Sequence, residues 1–189
     1  MNIIAGLARN LELASPPDME VRPTTGRARK ALFDSLGPLD GLGVLDLCAG
    51  SGAAALEAAS RGAALAVMVE KNPAHIRIIE TNIRKVQKTG ATCEMHTVNS
   101  DILNVRNYLS LLDRCSLILA DPPYAVSAEL FSQLMADPLF REHANGCTIV
   151  WEIPDTPGAA GDFIDAPGIS KSGIRKFGGT LFLIGEVQI

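Results

Sequence analysis

The amino-acid sequence predicts one α/β domain: a mostly parallel, doubly wound sheet with an antiparallel hairpin at its C-terminal edge and a small N-terminal hairpin. Two observations carry the prediction. From Gly43 onward, short aliphatic runs alternate with helical patterns at the spacing of β-α-β units, whose crossovers are right-handed. The last two runs, 168–174 and 180–187, leave no room for a helix between them and must pair antiparallel at one edge.

The elements follow in order. Asn2-Ile3-Ile4-Ala5-Gly6 and Leu11-Glu12-Leu13 read as two short strands around a turn, forming an N-terminal extension over 1–20. Ser15-Pro16-Pro17-Asp18 is a loop. Thr24 or Thr25 caps a helix in which Ala28, Ala31, Leu32 and Leu36 recur at helical spacing. Val44 to Leu47 is a buried strand, followed by a glycine turn and an alanine-rich helix to Arg61. Leu65 to Val69 is the second strand, and Pro73 opens a helix to about Lys88. Thr92 to Val98 and Ser116 to Ala120 are the third and fourth strands, with a helix between them. A helix over about Ala128 to Ala136 leads to a strand at Thr148 to Glu152. No repeat, low-complexity tract or linker divides the chain, so 1–189 is expected to be a single domain.

Composition excludes several classes. The 189 residues include 17 Lys and Arg against 21 Asp and Glu, a net charge of −4, with 47% hydrophobic and 20% charged residues. Those proportions suit a globular chain and exclude a disordered, collagen-like or disulfide-scaffold protein. The acidic total excludes coating of nucleic acid by bulk charge but leaves room for a local basic groove. Basic residues concentrate in 22–30, 71–88 and 168–177. No secretory signal or spanning apolar run is evident, and a cytoplasmic protein without a membrane partner is expected. Cys48, Cys93, Cys115 and Cys147 form no C-x-x-C pair, which points to reduced thiols and no metal site.

Ligands of such sheets bind beyond the carboxyl ends of the strands, near the point where strand order reverses. After the first strand comes Asp46-Leu47-Cys48-Ala49-Gly50-Ser51-Gly52, with Ala55 where a third glycine often stands. Gly50 and Gly52 allow a tight turn and a close backbone approach at a helix N-terminus. That spacing alone also fits a dinucleotide site. Asp46 separates the two, because a carboxylate beside a pyrophosphate repels it and suits a cationic, phosphate-free ligand. S-adenosylmethionine carries a sulfonium, an ammonium and a ribose. Glu70, ending the second strand, suits the ribose hydroxyls, and Asp101, following the third, suits the adenine amine. Ser51, Lys71 and Ile102 complete this candidate cofactor set. Asp101 also fits a helix N-cap, and Glu70 a solvated strand end.

The fourth strand ends Asp121-Pro122-Pro123-Tyr124. Two prolines stop the strand and stiffen the backbone, leaving a carboxylate, the Pro122 carbonyl and an aromatic ring in one small loop. This set matches an exocyclic amine on a nucleobase: two acceptors for its N–H groups and a ring to stack on the base. Holding both hydrogens aims the nitrogen at the methyl donor, so orientation supplies most of the catalysis. An Asp-Pro-Pro turn with a packing Tyr is the plainer alternative.

These residues resemble a known family. Asp-Pro-Pro-Tyr is similar to the loop of amino methyltransferases acting on adenine or guanine, and Asp46 to Gly52 to their S-adenosylmethionine motif. Arg22-Pro23-Thr24-Thr25-Gly26-Arg27-Ala28-Arg29-Lys30-Ala31-Leu32-Phe33, with Ser60-Arg61-Gly62-Ala63 and Val69-Glu70-Lys71-Asn72, resembles the RsmD family. The likeness is strong through Tyr124 and weaker after Trp151. It implies a Rossmann-like S-adenosylmethionine-dependent methyltransferase fold and methylation of N2 of one guanine, position 966, in 16S ribosomal RNA. It implies a partner in 16S rRNA or the assembling 30S subunit, and a monomer is expected. Carried over by position, it gives the cofactor to Asp46, Gly50, Gly52, Glu70 and Asp101. It gives the base and the catalytic geometry to Asp121, Pro122, Pro123 and Tyr124, and places Arg22, Thr24, Thr25 and Arg27 in the cleft near the methyl donor and the RNA. The chain departs from the family at Gly26, where an acid is usual, and at Asn10-Leu11-Glu12, where a basic run is usual. Methylation of adenine N6 in DNA, an NAD-dependent oxidoreductase and a noncatalytic binding domain are the competing readings.

Overall fold

Residues 1–17, 26–156, 160–164 and 166–189 are described by a computed structural model. The strands are β1 (Gly43–Leu47), β2 (Leu65–Glu70), β3 (Glu94–Asn99), β4 (Leu117–Ala120), β5 (Thr148–Ile153), β6 (Ile169–Phe177) and β7 (Thr180–Val187). They form one sheet in the order β3-β2-β1-β4-β5-β7-β6. The first five are parallel; β7 runs antiparallel to β5, and β6 antiparallel to β7. The edge hairpin is therefore present, longer than its sequence pattern suggested because β6 continues to Phe177. Strand order reverses between β1 and β4, which puts the ligand crevice at Leu47 and Ala120, the last residues paired there.

Side chains alternate across the sheet and feed two cores. Val44, Ala66, Met68, Leu117, Leu119 and Val150 face helices α1 (Gly26–Leu36), α2 (Ala53–Ser60) and α3 (Pro73–Gln87). Leu45, Leu47, Val67, Ile118 and Trp151 face α4 (Leu109–Leu112), α5 (Ser127–Ala136), α6 (Pro138–Ala144) and α7 (Gly161–Ile164). By the same parity Asp46 and Glu152 project on the α1–α3 side.

Two stretches differ from expectation. The helix expected between β3 and β4 is a 3-10 turn over Val105–Asn107 and the single turn of α4. A helix not expected, α6, starts at Asp137, whose carboxylate accepts from the Leu139 and Phe140 N–H groups at 2.8 and 3.4 Å, with Pro138 at the first helical position.

The N-terminal hairpin is reduced to one bridge, Asn2 with Glu12, flanked by Ile3 N–H to Leu11 carbonyl at 3.0 Å and Asn10 N–H to Ile3 carbonyl at 2.9 Å. Its attachment to the body is strong. The Glu57 carboxylate, fully buried on α2, accepts from the Ile4 and Ala5 N–H groups at 2.7 and 3.0 Å and from Arg61 at 2.8 Å. At Gly6, with φ +79°, a Cβ would lie 1.8 Å from the Ser60 carbonyl oxygen, so only glycine fits. Asn82 of α3 donates to the carbonyls of both Ala14 and Ser51, joining this segment to the glycine turn. Among the described residues no helix is long and apolar enough to cross a membrane.

Candidate active site

The turn after β1 is held in a left-handed conformation at three positions: Cys48 at φ +61°, Gly50 at +57° and Gly52 at +77°. Gly52 caps α2, and a Cβ there would stand 3.1 Å from the Met68 sulfur and 3.3 Å from Ile79 Cγ2. Glu70, at the tip of β2, accepts from the Gly50 N–H at 2.9 Å and the Asn72 N–H at 2.8 Å. The acid expected to meet a ribose therefore also fixes the shape of the loop that meets the cofactor.

Asp46 lies just inside this loop, 4% exposed, and accepts from the Ala55 N–H at 3.2 Å. Burial pushes its carboxyl up to about 8; Asp121 and Glu70 add to that rise, and the Ala55 N–H opposes it. Burial likewise pushes the Cys48 thiol up to about 12, with Glu70, Asp46 and Asp121 reinforcing it, so it stays protonated. A thiolate nucleophile is not available at this position.

Two cavities meet at the strand tips. The larger, about 530 Å³, brings together Gly50, Glu70, Lys71, Asp101 and Ile102 with Asp121, Pro122 and Pro123, whereas Tyr124 lines neither cavity. Its wall also includes Asn72, His75 and Ser100, which sequence reading missed; His75 Nδ1 is 3.6 Å from a Glu70 carboxylate oxygen. Asp101 lines the cavity, and one of its oxygens accepts from the Leu103 N–H at 3.0 Å in a turn rather than at a helix start, since the next helical turn, Val105–Asn107, follows Asn104. Lys71 is the one permanent cation in the described lining. A wall bearing Glu70, Asp101 and Asp121, beside buried Asp46, opposes a pyrophosphate and fits the sulfonium, ammonium and ribose of S-adenosylmethionine.

The smaller cavity, about 120 Å³, has Asp46, Ser51, Asp121 and Glu152 on the strand-tip side and Arg29 and Phe33 on the α1 side. Cys48 and Asp121 belong to both cavities, so they stand at the junction. Asp121 is exposed, Pro122 buried and Pro123 exposed, and Tyr124 begins a 3-10 turn over Tyr124–Val126. This loop is stitched to β5: the Tyr124 hydroxyl donates to Glu152 at 2.9 Å, the Ser127 hydroxyl to the Glu152 carbonyl at 3.4 Å, and the Trp151 indole N–H to Ser127 at 2.9 Å.

Glu152, 3% exposed, was not among the residues singled out from the sequence, although an acid inside Thr-Ile-Val-Trp-Glu-Ile is a signal. Among the α1 arginines, Arg27 is exposed and lines neither cavity, whereas Arg29, 6% exposed, lines the smaller one. Arg29 donates to the Asn2 carbonyl at 2.5 Å and to the Met1 sulfur at 2.9 Å, and burial holds its pKa below the usual value. Gly52 lines neither cavity and acts through loop shape. Arg22, Thr24 and Thr25 lie outside the described residues. Among the described residues no cluster of three or more His, Cys, Asp or Glu is placed to hold a metal ion.

Comparison with known proteins adds a second line of information. The chain matches the family model described as conserved hypothetical protein 95 over residues 1–158. It is 34% identical over 126 residues to the ribosomal RNA small subunit methyltransferase D of Escherichia coli (strain K12), covering 66% of this chain and 60% of that one. A Bacillus subtilis (strain 168) relative named "Putative rRNA methyltransferase YlbH" is 32% identical over 90 residues, 47% of this chain and 49% of the relative. The matches span about half to three fifths of the length of these curated relatives. A solved hypothetical protein of Thermus thermophilus superposes with a TM-score of 0.72 at 31% identity, covering 100% of this chain and 99% of that one. Solved methyltransferases share this Rossmann-like α/β fold.

Proposed function

The chain belongs to the conserved hypothetical protein 95 family, the RsmD family, and from that membership we propose that it methylates the exocyclic N2 amine of a guanine in 16S ribosomal RNA. The name of the Escherichia coli relative supports the RNA class. The observation that carries the chemistry is the meeting at Asp121 of two acid-lined cavities, one with Gly50, Glu70, Asp101 and the two prolines, the other with Asp46, Ser51 and Glu152.

S-adenosylmethionine, when bound, supplies the electrophilic methyl group. Glu70 and the Gly50 turn would hold the ribose side and Asp101 the adenine, with Asp46, on the smaller cavity, toward the cationic end. At the junction Asp121 and the Pro122 carbonyl accept from the two amine hydrogens, aiming the nitrogen lone pair at the methyl donor. Tyr124 stacks on the base, with its hydroxyl held by Glu152. The guanine leaves any stack to enter. The acceptor nitrogen would take the methyl in line as the donor's methyl–sulfur bond breaks, S-adenosylhomocysteine leaving, and would give up a proton to Asp121 or to water. The protonated Cys48 takes no part as a nucleophile.

The test is nucleoside mass spectrometry after incubating naked 16S rRNA and 30S subunits with enzyme and labelled cofactor. N2-methylguanosine is expected, and Asp121→Ala should lower its formation by about two orders of magnitude or more with cofactor affinity retained. Full activity in that variant, or N6-methyladenosine as the product, would overturn the reading.

A further inference from the structure

The smaller cavity carries more polar groups than an amine alone requires. Asp121 follows β4 and Glu152 lies on β5, each one residue past the last parallel pair between those strands, Ala120 with Trp151. They are thus neighbours across adjacent strands, about 5 Å apart in the backbone. Both line the cavity, Asp121 exposed and Glu152 buried. A carboxylate accepts up to about four hydrogen bonds, of which the Tyr124 hydroxyl supplies one at Glu152. The opposite wall holds buried Arg29, whose guanidinium is turned to the Asn2 carbonyl and the Met1 sulfur. Two acceptors side by side on adjacent strands match a base edge that offers an amine and a ring N–H side by side.

Guanine alone among the amine-bearing bases has a ring N–H beside its amine. Adenine and cytosine present a ring nitrogen lone pair there, which would meet a carboxylate head-on. We propose that Glu152 is the specificity-determining residue of the acceptor site, accepting the guanine N1–H and rejecting bases whose adjacent ring nitrogen is an acceptor. This rests on the guanine-N2 reading and deepens it. A buried acceptor left facing a lone pair keeps its desolvation cost without a bond, which is how such sites reject near-isosteres strongly.

The test compares guanosine with 2-aminopurine at the target position of an otherwise identical RNA. The analogue keeps the N2 amine but lacks the N1–H and the 6-oxygen; the loss of the oxygen is common to wild type and variant, so the change in ratio reads the N1–H. Wild type should prefer guanosine by about 100-fold or more in kcat/KM, and Glu152→Gln should reduce that preference to within about tenfold. The glutamine keeps side-chain volume and an oxygen for Tyr124. A residue that only positioned Tyr124 would slow both substrates equally and leave the ratio unchanged, which would overturn the proposal. So would a wild-type ratio near one with N2-methylguanosine still formed, an outcome that leaves the guanine reading standing. Absence of N2-methylguanosine with unmodified RNA would instead remove both. Unchanged S-adenosylhomocysteine affinity checks folding, and Glu152→Ala supplies the same ratio if the glutamine variant misfolds. Binding provides a readout independent of turnover: wild type should hold RNA with guanosine at the target more tightly than RNA with 2-aminopurine, both bearing the amine, and Glu152→Gln should narrow that difference.

Discussion

Replacing Asp46 by Asn should uncouple cofactor binding from pH. The wild-type carboxyl sits at about 8 because it is buried with Asp121 and Glu70 nearby. At pH 7 it is therefore protonated in roughly ten molecules for each one ionised. A cationic ligand favours the ionised form, so binding at pH 7 carries a deprotonation cost of about 1.4 kcal/mol and releases close to one proton. The dissociation constant should fall about ninefold from pH 6 to 7, about fivefold from pH 7 to 8, and flatten above pH 9. Titration calorimetry with S-adenosylhomocysteine, in two buffers of different ionisation enthalpy, reads both the affinity and the proton count. Asp46→Asn keeps the ligand's own ammonium titration and removes the carboxyl, so its profile should be flat relative to wild type and its affinity at pH 9 lower. An equal slope in both proteins would refute the assignment. The ligand-free protein follows the same linkage. Its folded-state carboxyl lies above the ordinary 3.8, so the folded chain binds more protons than the unfolded chain between about pH 4 and 8. The stability contributed by Asp46 is present at the acid end of that window and is lost as pH rises through 8, and cofactor should offset the loss.

Two further outcomes concern the scaffold. Gly52→Ala forces a side chain into φ +77° and against Met68 at 3.1 Å, so thermal unfolding should show a loss of about 1–3 kcal/mol, with weaker cofactor binding by the same calorimetry. Glu57→Gln leaves a neutral group among two backbone N–H donors and Arg61, at a cost of about 2–4 kcal/mol, and hydrogen exchange over residues 1–14 should rise before that of β1.

What the sequence made legible was local. Aliphatic runs mark β1, β2, β4 and β5 because buried parallel strands leave no polar face, and the glycine turn shows itself because φ > 0 demands glycine at Gly50 and Gly52. α6 was missed although Asp137-Pro138 is a cap followed by a first-turn proline; the run is too short for periodicity to register. Glu152 depends on a longer argument. Its side of the sheet follows from alternation with Val150, but its place beside Asp121 follows only from the β4–β5 register, formed across about thirty residues of chain. The arginines of α1 show the same limit. Arg27 and Arg29 are equally basic in sequence, yet one is exposed while the other is drawn under the N-terminal segment by the Asn2 carbonyl.

The net charge of −4 is also a matter of location. Asp46, Glu70, Asp101, Asp121 and Glu152 surround the two cavities, against Arg29 and Lys71. A cleft of that sign, partly shielded from water, rejects phosphate and accepts a cation or a neutral base edge rich in donors. Nucleic acid can then reach it only with a base presented and the backbone held outside. The basic residues have the matching arrangement. The α1 segment carrying exposed Arg27 and Lys30 packs against β6, which carries exposed Arg175 and Lys176. Lys30 pairs with Asp34 and Lys176 with Asp155, but exposed pairs of this kind contribute about 1 kcal/mol or less and exchange readily for another anion. Acid thus lines the cavities, where a phosphate must not enter, while exposed basic residues stand outside them on α1 and β6.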